Sequence, residues 1–324
     1  MFRGIQTKAS PSFAPLRASL APSLLLTLTA VAVLGCSSGT ASPENAERII
    51  VSGASGALGT LVTEELLARG VDPRNLILIS RSPDELGHYA QLGATTRFGD
   101  YTVPESLPAA YEGGTRMLLI SMNSGPDNRP ELHNNAIAAA VQAGVRHIAY
   151  TSSVDVDNRA EAARSAADHR ATEDHLRASG VAWTMLRHQL YADGIVNQAA
   201  RMIAEGRVVV QPDEVPTAFV TREDCAAAAA AVLTTPGHEY QAYDITGPTA
   251  VLRRDIASIA SEIAGRPIEI VTGEGGQPQA TGSMFGFVHF EATSDAVQVL
   301  TGRPATGIRQ LLERNRETLL AGAY

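Results

Sequence analysis

The chain is 324 residues long, 44% hydrophobic and 19% charged, with a formal net charge of -8. That length carries one large domain or two modest ones, and the balance excludes wholesale disorder and a polytopic membrane protein. No segment gathers basic residues into a patch, which argues against a nucleic-acid partner; Lys8 is the only lysine, which removes Schiff-base chemistry and the lysine-bearing phosphate loop from everything downstream.

In chain order, Arg3, Lys8 and Arg17 precede an apolar run from Leu20 to Leu34, then Gly35-Cys36-Ser37-Ser38. This is the order of a bacterial secretory signal. "AVLGC" resembles the cleavage site of lipoprotein precursors, with Cys36 as the residue that would take lipid. The apolar run is short for a membrane span, which needs ~20 residues. Residues 1–35 are therefore expected to be a lipoprotein-type signal peptide and 36–47 a flexible tether, small and polar with one proline. The expected location is the cell envelope, with the membrane touched only through lipid on Cys36; a misplaced start would make the chain cytoplasmic instead. Cys225 is the only other cysteine, so no intrachain disulfide is expected once Cys36 is lipidated.

From Arg48 onward, short apolar runs alternate with helix-like stretches. Strands are predicted at Arg48 to Ser52, Asn75 to Ser80, Ala94 to Phe98, Arg116 to Ser121, Arg146 to Thr151 and Val181 to Arg187. Helices are predicted at Leu58 to Arg69, Pro83 to Leu92, Pro104 to Tyr111, Pro130 to Ala143 and Ala166 to Ser179, several opening on a proline that a first helical turn tolerates. Alternation of this kind implies an α/β fold, a Rossmann-like doubly wound parallel sheet. After Tyr191 the rhythm loosens. A helix to Glu205, a short "RVVV", an alanine-rich helix around Ala226 to Ala231, "AYDITG" and a helix from Arg253 suggest a smaller, interleaved C-terminal substrate-binding portion. The domains are thus 48–195, binding cofactor, and 196–324. Glycine-rich residues 272–287 read as a loop or lid.

Gly53, Gly56 and Gly59 are spaced as G-x-x-G-x-x-G directly after a strand and before a helix. That spacing allows a tight turn, a close approach of backbone to a pyrophosphate and close helix-on-strand packing, with free amides at the helix N-terminus meeting the phosphate. The segment Gly53, Ala54, Ser55, Gly56, Ala57, Leu58 and Gly59 is therefore a candidate dinucleotide cradle. About 20 residues on, a carboxylate would hold a ribose 2′-hydroxyl; here "ILISRSP" offers Arg81 between serines. A guanidinium flanked by hydroxyls suits a 2′-phosphate, so the expected cofactor is NADP(H). Asp100 and Tyr101 end the third strand where an adenine would lie, and Ser121 ends the fourth beside the phosphates.

No tyrosine can belong to the Tyr-x-x-x-Lys dyad of ordinary short-chain dehydrogenases, because Lys8 precedes all of them. "SGASGALG", "ISRSP", "GDYT", "LLIS", "AGVRHIAYTSS", "ADHRATEDHLRASGVAWTMLRHQLY" and "TREDCAAAAA" nonetheless resemble the NmrA-like atypical short-chain dehydrogenases, most of all their NAD(P)H:quinone oxidoreductase branch, from about Ile49 to Thr249. The resemblance implies that His188, Gln189 and the rest of the segment to Asp193 pass the nicotinamide, and that His169 stands where this branch has a histidine. His188 and Leu190 depart from its pattern, replacing an asparagine and a tryptophan.

Hydride transfer to a planar acceptor needs mainly positioning and a proton source. His169 is the expected polariser or proton donor, with Glu173 one helical turn on to orient it, and Tyr191 the second candidate. Thr151, Ser152 and Ser153 are expected to line the pocket. The histidines show no metal-ligand spacing, so no metal is expected. The function expected is NADPH-dependent reduction of a quinone or similar planar acceptor, by a chain that could form a homo-oligomer. The alternative is a non-catalytic NADP(H)-binding redox sensor, which an envelope location would favour because NADPH is scarce there.

Overall fold

The computed structural model describes residues 47–122, 128–157, 164–212, 214–273 and 290–321. The expected signal peptide, Cys36 with most of its tether, and residues 274–287 of the glycine-rich stretch lie outside these residues. Among them the strands are β1 (Ile49–Ser52), β2 (Leu76–Ser80), β3 (Thr95–Phe98), β4 (Arg116–Leu119), β5 (His147–Ser153), β6 (Ala182–His188), β7 (Arg207–Val210), β8 (Gln241–Ile245) and β9 (Glu269–Thr272). The helices are α1 (Ala57–Ala68), α2 (Gly87–Gln91), α3 (Leu107–Tyr111), α4 (Arg129–Gln142), α5 (Arg164–Ala178), α6 (Asp193–Glu205), α7 (Arg222–Thr234), α8 (Arg253–Ala264), α9 (Ala296–Thr301), α10 (Ile308–Arg314) and α11 (Arg316–Ala321). The prolines at 83 and 104 open tight 3-10 turns before α2 and α3, since a residue without an N–H loses nothing in a first turn.

Seven strands form one sheet in the order β3-β2-β1-β4-β5-β6-β8, every neighbouring pair parallel. This is the Rossmann-like doubly wound α/β fold expected from the sequence. Parallel neighbours need crossovers, which the helices supply on both faces. Alternation along β1 sends Ile49 and Val51 to one face and Ile50 to the other. The first face packs under α1, α7 and α9, and the second under α3, α4 and α5. The alanine run of α7 is buried throughout, because methyl-sized side chains let that helix lie close to both the sheet and α1.

The chain returns to this sheet after residue 195: β8 adds its last strand and α7 covers it. A third apolar cluster joins α6, α8, α10 and β7, with β7 and β9 pairing as a separate two-stranded ribbon. Two strand ends differ from expectation by two residues. β4 stops at Leu119 because the Ser121 amide turns to the Thr151 side chain, 2.8 Å away, instead of a ladder carbonyl. β5 runs on to Ser153 because β6 stays in register beside it, Ser153 facing His188. The winding reverses between β1 and β4, and there a crevice opens beyond the strands' C-terminal ends.

Candidate active site

The crevice is a cavity of about 750 Å³. One end is built by the turn from β1 to α1. Gly53 turns with φ at 88°, a conformation that favours glycine. Its amide and that of Ala54 both bond to the Ile79 carbonyl, at 3.0 and 2.9 Å, which hooks the loop onto β2. A Cβ on Gly59 would stand 2.2 Å from the Gly53 oxygen, so that position sets how closely α1 approaches the loop. Gly56 caps α1 without a side-chain bond, which leaves the first-turn amides of Ala57, Leu58 and Gly59 without capping partners at the cavity edge. Ala54 does not belong with these groups: its methyl is fully buried in the core and its amide is spent on Ile79.

Ser55 and Ser80 share a 2.7 Å hydroxyl contact, and Ser80 Oγ also accepts the Ser82 amide at 2.9 Å, so the serines brace the two loops together. Arg81 lies between them, exposed, on the cavity wall, and no ion pair engages it among the described residues. Asp100 also lines the cavity, its carboxylate accepting both the Thr102 amide and hydroxyl, at 2.9 and 2.8 Å. The Tyr101 phenol donates to the Ile120 carbonyl at 3.2 Å and contacts Ser52 Oγ at 2.8 Å, tying the ends of β1, β3 and β4 into one wall. Ser121 is held by Thr151, whose hydroxyl donates to Ser121 Oγ at 3.1 Å.

The other end is lined by side chains from β5, α5, the loop after β6 and α7. His169 is 7% exposed, and its Nδ1 lies 2.8 Å from the Tyr150 hydroxyl. Glu173 does not orient it, contrary to the expectation from helical spacing. That carboxylate, 1% exposed, instead accepts from Ser152 Oγ at 2.6 Å, from Arg187 at 3.0 and 2.9 Å, and from Arg177 at 2.7 Å. Burial is the largest influence on Glu173 and pushes its carboxyl up, but these donors together outweigh it and hold the pKa below the ordinary value. The Ser152 hydroxyl is thereby committed to structure. Beyond β6, Gln189 is buried between the Phe290 carbonyl and the Leu190 amide, and His188 Nδ1 meets the Tyr191 hydroxyl at 3.0 Å. Arg222 stacks over the Tyr191 ring at 4.5 Å while pairing with Asp193.

Burial dominates the protonation of this end. It lowers the pKa of His188 to about 3 and, with nearby Arg129, that of His133 to about 3. Burial, followed by Arg129, His133 and His188, holds His169 well below the ordinary imidazole range. It also pushes the Tyr150 and Tyr191 phenols up. Neutral imidazoles and neutral phenols therefore form and back this wall at pH 7.

Residues 53–236 match the model of an NAD(P)H-binding family. The chain belongs to the NAD(P)H-binding, NmrA-like family. It is similar to quinone oxidoreductase 2 of Escherichia coli (strain K12), 33% identical over 220 residues that span 68% of this chain and 76% of the relative. NAD(P)H azoreductase of Xenophilus azovorans is 28% identical over 254 residues, 78% of this chain and 85% of the relative. The solved structure of Citrobacter sp. triphenylmethane reductase complexed with NADP(H) matches with a TM-score of 0.73 at 31% identity, covering 82% of this chain and 99% of that one.

The cradle end fits the NAD(P)H that this family binds. A Cβ-free approach at Gly56, an uncapped helix N-terminus and an exposed guanidinium are what a pyrophosphate and a 2′-phosphate require. Four further residues of the site escaped the sequence reading. Arg129 is 3% exposed, ion-paired with Asp168 at 3.1 Å, and lines the cavity. Tyr150 and His133 lie behind His169, and Arg222 lines the cavity over the Tyr191 ring. Two of them left a signal. Tyr150 shares the inward face of Ile148 by strand alternation, and His133 stands three and four residues before Ala136 and Ile137 on the buried stripe of α4.

Proposed function

We propose that this chain is an NADPH-dependent oxidoreductase that passes hydride to a quinone or similar planar acceptor. The observation that carries it is a single cavity joining an uncapped helix N-terminus and an exposed Arg81 to a wall holding a neutral, buried His169. The amides of Ala57 to Gly59 would hold the pyrophosphate and Arg81 the 2′-phosphate. The nicotinamide, once bound, supplies the hydride. Ile120, Met122 and Leu190 give the cavity an apolar lining on which a flat acceptor can lie. Leu190 offers no ring for stacking, so positioning falls to shape and to hydrogen bonds. His169 faces the same space and donates to the oxygen where negative charge develops, a contribution of ~10²-fold or more in enzymes of this kind. The relatives' names, a quinone reductase, an azoreductase and a dye reductase, support planar acceptors as a class.

The test is to purify the full chain and follow NADPH absorbance with and without 1,4-benzoquinone. Acceptor-dependent oxidation supports the proposal; tight NADPH binding with no oxidation by quinone, azo dye or triarylmethane dye would sink it. We propose in addition an envelope address through lipid on Cys36, supported by the signal-like order of residues 1–38. Cell fractionation of the wild type and Cys36→Ser decides it, the variant leaving the membrane fraction if the lipid is the anchor. The address and the activity are decided separately, since the absorbance assay supplies its own NADPH.

A further inference from the structure

The hydrogen bonds behind His169 can be assigned a direction one by one. The Met122 amide donates to His133 Nε2 at 3.1 Å, so Nε2 carries no proton and the neutral ring has its proton on Nδ1. That Nδ1 lies 3.1 Å from Thr172 Oγ1, whose own proton goes to the Asp168 carbonyl at 2.9 Å; the hydroxyl therefore accepts from His133. In hydrogen-bond geometry the Tyr150 hydroxyl reaches two ring nitrogens, His133 Nδ1 at 3.4 Å and His169 Nδ1 at 2.8 Å; Thr172 also neighbours this phenol, but its oxygen already accepts from His133. The first already bears a proton and cannot accept. A fully buried phenol that failed to donate would forfeit a hydrogen bond at a cost, so its proton goes to His169 Nδ1. With Nδ1 accepting, the neutral His169 ring must carry its proton on Nε2, the nitrogen left for the cavity that His169 lines.

We propose that Tyr150 is a positioning residue that, backed by His133, locks His169 as the Nε2–H tautomer and so gives the cavity a fixed neutral donor suited to acceptors with a lone pair at the reacting end. Tyr150 does not line the cavity and acts through His169. The lock separates two kinds of planar acceptor. A quinone that takes hydride, with its two electrons, becomes a hydroquinone monoanion as NADPH is oxidised to NADP⁺; the anionic oxygen accepts the Nε2–H bond and then takes a proton from water. A triarylmethyl cation takes hydride at its central carbon, where one C–H bond forms and the charge is cancelled. It presents no developing oxyanion and needs no proton. The donor therefore favours the first class and is of little use to the second.

The kinetic part rests on the reductase proposal, whereas the tautomer does not, and the tests are chosen accordingly. Nitrogen NMR of the full chain with labelled histidine, the His169 ring assigned by its loss in His169→Gln, should report a protonated Nε2 and a bare Nδ1 at neutral pH. A protonated Nδ1 in the wild type overturns the proposal whatever the enzyme reduces. In Tyr150→Phe the same ring should become a mixture of tautomers. The ratio of 1,4-benzoquinone to malachite green turnover should fall tenfold or more. An unchanged ratio, or a single Nε2–H tautomer retained in that variant, also overturns it. Should Tyr150→Phe fail to fold, the wild-type spectrum still decides; should the wild type reduce neither acceptor, the reductase proposal fails and the spectrum again decides the tautomer alone.

Discussion

The two ends of the cavity are built from different material. The cradle is backbone: a glycine in a left-handed turn, amides of a first helical turn and one guanidinium, drawn from residues 53–59 and 81. The acceptor end is side chain: His169 with Tyr150 and His133 behind it, and His188, Tyr191 and Arg222, drawn from α4, β5, α5, β6, the loop after it and α7. A backbone site fails when an atom is added to it, because there is nowhere for the atom to go. A side-chain site fails when a proton or a partner is moved, because its geometry depends on who donates to whom.

The largest effect should come from adding one methyl to the cradle. In Gly59→Ala the new carbon meets the Gly53 oxygen at 2.2 Å and the Ala54 Cα at 2.7 Å, backbone atoms that cannot swing aside. Overpacking of this kind costs ~3 kcal/mol, which a thermal melt should read as a loss of roughly 6–12 °C. Gly56→Ala is the control: its Cβ would lie 3.3 Å from the Gly53 oxygen beside the cavity, so the melt should hold while NADPH affinity falls about tenfold. Equal melts for the two variants would erase the distinction drawn for the cradle. Next, at the other end, His169→Gln should lower kcat for a quinone ~100-fold while NADPH binding stays within about twofold. A matching loss of NADPH affinity would mean that the two ends are one site energetically.

The same contrast explains what could be read in advance. The cradle is contiguous, and its strand, glycines and helix announce themselves within eleven residues of sequence. The six strands of the Rossmann core were legible for a similar reason, since each is a short apolar or β-branched run followed by a helix-like stretch. β9 was not, because its residues are mostly exposed and show no alternation to find. Ala54 was misjudged because a glycine motif marks where the chain turns and not which way each methyl points. The pairing of Glu173 with His169 followed from helical spacing, and it lost to Arg187 and Ser152, 14 and 21 positions away, which the fold brings to the same carboxylate. The Tyr150 to His169 bond is tertiary in the same sense, spanning two elements whose mutual angle no local pattern encodes.

Smaller effects refine each end. Arg81→Ala should weaken NADPH by ~10- to 100-fold, the worth of hydrogen bonds to a charged phosphate, and NADH by less than about twofold. Titration calorimetry with both nucleotides checks it. Equal losses would place Arg81 on the shared pyrophosphate and take the 2′-phosphate from the cradle.

The smallest effect per residue is in pH. His133 and His188 have pKa values lowered to about 3, chiefly by burial, and His169 lies well below the imidazole range for the same reason. Their folded values are depressed, so the unfolded chain binds more protons as soon as the pH drops toward the free imidazole value near 6.5. Stability is then fully present above that value and is lost as the pH falls from it toward about 3. At pH 6 the loss is about 0.8 kcal/mol per histidine, and it depends on the unfolded value alone while the folded one stays far lower. His147, buried on β5 with its pKa lowered to about 4, adds a fourth share outside the cavity. Glu173 acts in a lower window, below the ordinary carboxyl value, and does not confuse the measurement. Urea unfolding from pH 8 to 5 should therefore show stability declining below pH 6.5. His188→Gln should remove one histidine's share of that slope while the cradle variant Gly56→Ala leaves it intact. A slope unchanged by His188→Gln would mean that this imidazole already titrates in the folded protein, and that the acceptor end is wetter than its burial implies.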